Sequence, residues 1–281
     1  MRPAQEARKQ LNGQWLNAVQ VQLLIGAAGL LLLALEVAAV RLAGLDFGEA
    51  VHLDLLLSGQ SSWLHGVIVL GAVLADLLLT SPLRIGQAAY YARLASGAHP
   101  AVRSVWKPYK DGYYWLSVQW RLAIWWRRLA WGVLYFAPSA LVMGYGEVIR
   151  RNGFTSPLAE ITILFCGLFG LFLLIAGFVA LQLTMLRYMP AQYFLTRCGS
   201  VRAALRTSRG IMRGRTGEMA WLYAGFAGWL FTCVLALPYF YASPLFLTTR
   251  AGEVMRVEQR RADREVVKMV NRRRTLLPNG V

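Results

Sequence analysis

Residues 158–186 read LAEITILFCGLFGLFLLIAGFVALQLTML, with one acidic residue and no basic residue. An α-helix needs about 20 mostly apolar residues to cross a hydrocarbon core of about 30 Å. This stretch exceeds that length, so it is predicted to be a transmembrane helix. Four more apolar stretches are predicted to be spans as well, at residues 19–43, 63–80, 115–143 and 219–247. The stretch 63–80 is predicted to stop at Ser81-Pro82.

The composition of the whole chain supports the same interpretation. Of its 281 residues, 57% are hydrophobic and 16% are charged, whereas soluble domains have about 45–50% and about 25%. This disfavours a soluble globular protein and predicts an all-α polytopic integral membrane helical bundle, with five to six passes and interfacial amphipathic helices. Lys and Arg outnumber Asp and Glu by 30 to 14. In so apolar a chain, this excess favours the anionic inner surface of a membrane over nucleic acid as partner.

The charges of the polar segments predict the side of the membrane that each one faces. Basic residues predominate in residues 1–18 and 84–113, and residues 187–217 hold seven arginines and no acid. Residues 44–62 hold three acids and no basic residue. Because short loops rich in Lys and Arg stay cytoplasmic, the three basic segments are predicted inside and the acidic one outside. The prediction is a multi-pass protein of a bacterial cell membrane, with a cytoplasmic N-terminus and a membrane domain over residues 19–248.

The C-terminal segment 249–281 leaves the number of passes open. It carries nine basic residues against four acids and is predicted to be a cytoplasmic tail, yet five crossings would place it outside. Either residues 219–247 form a hairpin that turns near Leu237-Pro238, giving six passes, or the tail is exported. We favour the hairpin, because neighbouring helices and water can satisfy the carbonyl groups that a proline leaves free.

Four charged residues at predicted membrane depth form a candidate polar cluster: Glu36, Asp76, Arg121 and Arg128. An unpaired charge in hydrocarbon costs about 2.5–3.5 kcal/mol on insertion scales, so these side chains should pair or reach water. One interpretation is a polar path or ligand site inside the bundle, such as one for a lipid headgroup. The other is structural, with a carboxylate–guanidinium clamp or arginines that extend to the interface. Four tryptophans nearby favour the structural interpretation, because indoles settle at headgroup level. They are Trp120, Trp125, Trp126 and Trp131.

A second candidate site is a basic face on residues 200–213. Its members recur at helical spacing and are predicted to contact lipid headgroups: Arg202, Arg206, Arg209 and Arg213. The apolar residues on another face are Val201, Ala204, Leu205, Ile211 and Met212. One interpretation is an amphipathic helix on the inner leaflet, with its apolar side in the lipid and its guanidinium groups among anionic phosphates. The alternative is a helix docked on the ends of the spans, with its arginines in water.

The sequence contains no recognised motif for catalysis or for cofactor binding. It has no HExxH, G-x-S-x-G, P-loop or dinucleotide fingerprint. His52 and His65 are predicted outside and His99 inside, so the three histidines cannot share one metal ion. The three cysteines are scattered without a CxxC pattern, which is typical of small apolar fillers. We therefore expect no enzyme activity, no catalytic residue, no metal and no cofactor.

Short motifs carry a family resemblance that is best in residues 203–241. They are Pro82-Leu83, Gly86 and Tyr90-Tyr91, then Ala204, Leu205, Ser208, Met212 and Gly214, and last Gly228-Trp229 and Pro238-Tyr239. Over residues 82–254 the chain resembles a family of uncharacterised multi-pass membrane proteins of Gram-positive bacteria. That family is similar in turn to the membrane domain attached to some glycerophosphodiester phosphodiesterases. The resemblance implies a six-pass bundle with both ends in the cytoplasm, and it brings no catalytic residue because the sequence lacks the phosphodiesterase catalytic domain.

The sequence therefore predicts a non-enzymatic integral membrane protein whose process is not specified. Its expected partners are the lipid bilayer and anionic phospholipid, or a membrane protein, and not nucleic acid. The alternative is a small transporter or permease subunit that uses Glu36, Asp76 and the arginines of residues 115–143 as an intramembrane polar path. An intramembrane enzyme is a third class, for which the sequence offers no convergent catalytic groups.

Overall fold

The protein is described from a computed structural model that covers residues 3–44, 63–153, 156–232 and 236–276. Of these residues, 88% are helical and none lies in a strand, so the all-α prediction is confirmed. The helices are α1 (Pro3–Leu11), α2 (Trp15–Leu42), α3 (Trp63–Ala95), a 3₁₀ helix (Val102–Trp106), α4 (Lys107–Lys110), α5 (Tyr114–Arg151), α6 (Pro157–Leu186), α7 (Ala191–Cys198), α8 (Val201–Met212), α9 (Thr216–Thr232) and α10 (Ala236–Leu276).

Four helical segments in the described part of the chain are long and apolar enough to cross a membrane. They are Trp15–Leu42, Gly66–Ala95, Tyr114–Arg151 and Pro157–Cys198. Large apolar side chains lie exposed along all four, among them Leu31, Leu70, Leu134 and Phe172. Soluble monomers rarely expose a continuous apolar surface of this extent. These helices therefore have the surface that hydrocarbon requires, and the chain is a membrane protein with transmembrane helices.

Helix α3 continues past the point where the sequence predicted an end. It runs through Pro82 to Ala95, although proline in a helix interior removes one backbone donor. Hydroxyl groups beside the proline contribute hydrogen bonds of their own, because the Ser81 Oγ donates to the carbonyl of Leu77 and the Thr80 Oγ1 donates to the carbonyl of Asp76. Ser and Thr side chains are among the groups that make proline tolerable in membrane helices. The helix thus extends the span into the basic segment 84–113.

The last apolar stretch, 219–247, contains parts of two helices that pack against each other. The ring of Phe246 on α10 lies 4.9 Å from that of Tyr223 and 5.1 Å from that of Phe226, both on α9. Helix α10 begins at Ala236, so the predicted turning point at Leu237-Pro238 falls inside its first turn, where proline is tolerated. From there α10 continues without a break into the basic tail. The number of membrane passes stays a prediction.

The buried core is concentrated at one end of the bundle. Its members come from α1, the adjoining turns of α2, the C-terminal half of α3, the 3₁₀ helix, the start of α5, the end of α6, α7, α8 and α10. The largest fully buried side chains there include Leu11, Ile85, Tyr90, Tyr91, Leu94, Val105, Leu195, Leu205, Met212 and Val254. We call this region the core end. It gathers the N-terminus and the segments 84–113 and 187–217, which the charge pattern predicts to be cytoplasmic.

Two helical glycines lie where another backbone segment approaches closely. A Cβ on Gly86 of α3 would lie 1.9 Å from the carbonyl oxygen of Val105 in the 3₁₀ helix. A Cβ on Gly177 of α6 would lie 2.6 Å from the carbonyl oxygen of Tyr135 on α5. Both obstacles are backbone atoms, so only glycine fits without a shift of a helix. Gly167, in contrast, has no atom within 4 Å of such a Cβ, and it plays no part in the packing of α6.

The N-terminal helix is tied to the last helix and to α3. Arg256 of α10 forms an ion pair with Glu6 of α1 and another, at 2.8 Å, with Glu253 of its own helix. The Gln10 Nε2 donates to the carbonyl of Ala95 at 2.7 Å. Burial raises the pKa of the Glu253 carboxyl, while a positively charged neighbour on α10 opposes this rise. The two ends of the described chain therefore pack together at the core end.

Candidate functional sites at the core end

A carboxylate–guanidinium clamp joins α3 to α5. Arg121 donates to the Asp76 Oδ2, to the carbonyl oxygen of Asp76 at 2.9 Å and to the Thr80 Oγ1. The Thr80 Oγ1 lies 2.9 Å from the Asp76 Oδ1, which completes the contact. The Arg121 side chain is 9% exposed and that of Asp76 is 35% exposed. The guanidinium also lies 5.7 Å from the ring centroid of Trp125. The arrangement neutralises both charges and fixes the spacing of the two helices.

The other two members of the predicted polar cluster do not join this clamp. Among the described residues, Glu36 on α2 and Arg128 on α5 form no ion pair with Asp76 or Arg121. Arg128 is exposed, whereas Arg127 beside it is half-buried and lies 5.6 Å from the ring centroid of Tyr188. The structure therefore brings together two of the four predicted residues, and it does so as the structural interpretation describes.

The basic face of α8 is exposed, and its apolar face is packed inside the protein. Arg202, Arg206, Arg209 and Arg213 are all exposed. The prediction of four arginines on one helix was wrong for Arg213, because α8 ends at Met212 and the backbone of Arg213 is extended. The buried residues of the helix are Ala204, Leu205, Ser208, Ile211 and Met212. The Ser208 Oγ donates to the carbonyl of Arg187 at 2.7 Å, which fastens α8 to the end of α6. Of the two interpretations, the docked helix is the one that the described packing supports, because the apolar residues are not free to enter lipid.

A cavity of about 170 Å³ lies between α3, α5, α7 and α10, and sequence reasoning did not identify it. We call it the arginine cavity. Its polar lining consists of Arg84, Gln87, Tyr91, Trp120, Gln192, Tyr193 and Arg250. Among the described residues, no acidic one lines it. Arg84 and Arg250 were counted in the sequence only as members of a basic loop and a basic tail. Trp120, predicted to lie at headgroup level, is instead 8% exposed and part of the cavity wall.

Arg250 lies in the cavity wall, where two tyrosine hydroxyls accept hydrogen bonds from its guanidinium. Its Nε donates to the Tyr193 hydroxyl at 3.0 Å and its Nη1 to the Tyr223 hydroxyl at 3.4 Å. Its guanidinium lies 5.7 Å from the ring centroid of Tyr193. In the part of the chain that the structure describes, no carboxylate forms an ion pair with Arg250 or with Arg84. A half-buried guanidinium is thus oriented without being neutralised.

Within residues 3–44, 63–153, 156–232 and 236–276, no cluster of three or more His, Cys, Asp and Glu side chains could hold a metal ion. His52 and Cys233 lie outside the described residues, and nothing is known of the side chain of His65. The expectations of no metal, no cofactor and no enzyme activity stay predictions.

No protein-family profile, curated protein or solved structure matches this chain. The resemblance to the Gram-positive membrane-protein family and to the membrane domain of glycerophosphodiester phosphodiesterases therefore stays a prediction, as do the six passes that it implies.

Proposed function

We propose that this chain is a non-enzymatic integral membrane protein of the bacterial cell membrane whose basic core end faces the cytoplasm and binds anionic phospholipid. The observation that carries the proposal is the group of exposed arginines at α8, with Arg202, Arg206 and Arg209 on the helix and Arg213 directly after it. No acid in residues 187–217 offsets these charges. The process that such binding serves is not specified by any residue described above.

The docked state of α8 determines how it would meet lipid. A basic residue near an anionic leaflet contributes about 1 kcal/mol, and the attraction extends over a Debye length of about 8 Å at physiological salt. Because the apolar face is already buried in the protein, binding rests on charge and does not require insertion. Arg202, Arg206 and Arg209 lie on a helix that is already folded and docked, so no folding cost accompanies the contact.

Lipid selectivity of the whole protein in vesicles tests this proposal. Spin-labelled phosphatidylglycerol and phosphatidylcholine report the fraction of each lipid that is immobilised at the protein surface. We expect preference for the anionic lipid, a decline of that preference as salt rises, and its loss in R209Q/R213Q. The matched control is R150Q/R151Q, which removes two exposed arginines from the opposite end of α5. Equal preference for phosphatidylglycerol in the native protein and in R209Q/R213Q would contradict lipid binding by α8. The helix would then face a protein partner or solvent.

The transporter alternative gains no support from the described residues. A polar path across the bundle would need the members of the predicted cluster to line it together. Instead, Asp76 and Arg121 satisfy each other, while Arg128 is exposed. We therefore propose no transport activity.

A further inference from the structure

The arginine cavity presents an excess of hydrogen-bond donors with a net positive charge. A guanidinium has five N–H donors, and within the described residues Arg250 directs two contacts to protein acceptors, the hydroxyls of Tyr193 and Tyr223. Arg84 makes no ion pair within the described residues and is exposed, so it lies where the cavity reaches the surface. Charged groups taken out of water are normally paired. Arg250 is such a group, because it is half-buried and no carboxylate of the described residues pairs with it, while the exposed Arg84 adds positive charge where the cavity reaches the surface.

Trp120 forms part of the cavity wall together with Gln87 and Gln192. Its side chain is more than nine-tenths buried, and its Nε1 is inaccessible, so this N–H does not face the cavity space. The Gln87 Nε2 already donates to the Gln22 Oε1 at 3.2 Å, which leaves that amide one further N–H to donate. Among the described residues, the polar wall therefore offers donors and no carboxylate.

The nearby clamp prevents the protein from neutralising the cavity with its own acid. Asp76 is the acid of α3, and it is committed to Arg121 and Thr80. Arg84 lies eight residues further along α3, about two turns away, and Trp120 is the residue before Arg121 on α5. The clamp therefore sets the distance between two walls of the cavity and occupies the one carboxylate of α3.

We propose that the arginine cavity binds an oxyanion, namely the phosphate group of a phospholipid headgroup or of free phosphate. Arginine forks match phosphate oxygens in geometry and charge. The volume of about 170 Å³ suits one compact group, since pockets for drug-sized ligands measure about 300–1,000 Å³. The cavity lies at the core end, beyond the apolar parts of α3 and α6, where the phosphates of the inner leaflet would stand in the orientation proposed above. The site does not involve the arginines of α8.

Calorimetric titration of the full-length protein in a phosphate-free detergent tests the proposal. The probes are inorganic phosphate, dihexanoyl phosphatidylglycerol and, as the counterpart without a phosphate, dihexanoylglycerol. Sodium chloride at the same ionic strength is the blank. Saturable binding of both phosphate probes would show that the phosphate group itself is the ligand. Binding of the lipid alone would assign the cavity to a headgroup, and binding of inorganic phosphate alone would assign it to a free anion. Saturable binding of neither probe, or equal binding of dihexanoylglycerol, would overturn the proposal.

Substitutions locate the binding. We expect R84Q to weaken phosphate binding about tenfold or more, the usual effect of losing one charge-assisted hydrogen bond. The variant should still fold, because this exposed side chain contributes little to folding. The control is R93Q, which removes an exposed arginine of the same helix that does not line the cavity. Equal weakening by R84Q and R93Q would overturn the site. Unchanged phosphate binding in R209Q/R213Q would separate this site from the proposed role of α8.

Discussion

The clamp between Asp76 and Arg121 predicts a specific pattern of stability in paired substitutions. R121Q removes the contacts to the Asp76 carboxylate, to the Asp76 carbonyl and to the Thr80 hydroxyl. It leaves the Asp76 carboxylate without its cation. D76N leaves a 9%-exposed guanidinium without its anion. In D76N/R121Q neither charge remains. The double variant should therefore lose less free energy of unfolding than the two single variants lose together.

The magnitude follows from the exposure of the two side chains. Breaking a buried ion pair by removal of one partner costs about 3–5 kcal/mol. Because the Asp76 side chain is 35% exposed, we expect the lower end, about 3 kcal/mol, for R121Q. D76N should cost about 2 kcal/mol, since Arg121 keeps its neutral acceptors, each worth about 1 kcal/mol. The double variant should cost about 2–3 kcal/mol, which corresponds to a coupling energy of about 2 kcal/mol, within the range found for residues in contact.

The free energy of unfolding is measured by titration with sodium dodecyl sulfate in mixed micelles, with far-ultraviolet circular dichroism as the readout. The control cycle pairs Asp76 with Arg128, which lies on the same helix as Arg121 but does not touch the carboxylate. Its effects should add to within about 0.5 kcal/mol. If D76N and R121Q also prove additive, the clamp contributes nothing beyond its separate parts, and the account of the cavity wall given above fails with it.

Two further predictions concern packing. G177A should destabilise the protein by about 1–3 kcal/mol, because its Cβ would meet a backbone carbonyl oxygen of α5 at 2.6 Å. The control on the same helix is G167A, whose Cβ meets no atom within 4 Å; it should be neutral or stabilising by up to about 1 kcal/mol. The same detergent titration measures the free energy of unfolding of both variants. R256Q should release α1 from α10 at a cost of about 1 kcal/mol or less, since its ion pair with Glu6 is partly exposed. Faster hydrogen exchange confined to α1 would support this, and unchanged exchange there would contradict it.

Apolar length was sufficient to predict the four long membrane helices, whereas their ends depended on tertiary contacts. The predicted end of the second span at Ser81-Pro82 was wrong. The rule that proline ends a helix considers only neighbours in the sequence and not the packing around the proline. Past that point α3 packs against the 3₁₀ helix, with Gly86 close to the carbonyl of Val105, and α3 stays helical to Ala95. The hydrophobic pattern of residues 63–95 contains no information about a packing partner, such as the 3₁₀ helix, that follows later in the chain.

The polar residues show the same limit. Helical spacing groups residues on one face of one helix, yet it could not tell which helices are neighbours. Asp76 was therefore not distinguished from Glu36 as the partner of Arg121. Arg84 and Arg250 were missed for a related reason. Charge counts treat a basic loop or tail as solvated, and only a continuous α3 places Arg84 two turns beyond the clamp. Of the residues in the sequence motifs, Tyr91 lines the cavity.

Eight of the motif positions, on α3 and α8, have a common structural role. Leu83, Gly86, Tyr90, Tyr91, Ala204, Leu205, Ser208 and Met212 are all buried at the core end. Such residues determine how helices pack, and a packing motif says little about ligands. In this chain, however, the packing that they produce brings α3, α5, α7 and α10 around the arginine cavity, whose polar residues lie next to the motif positions and mostly outside them. A chain that kept the motif but replaced Arg84 and Arg250 with neutral residues should therefore keep the fold and lose the oxyanion site, so the resemblance alone cannot transfer that site from one protein to another.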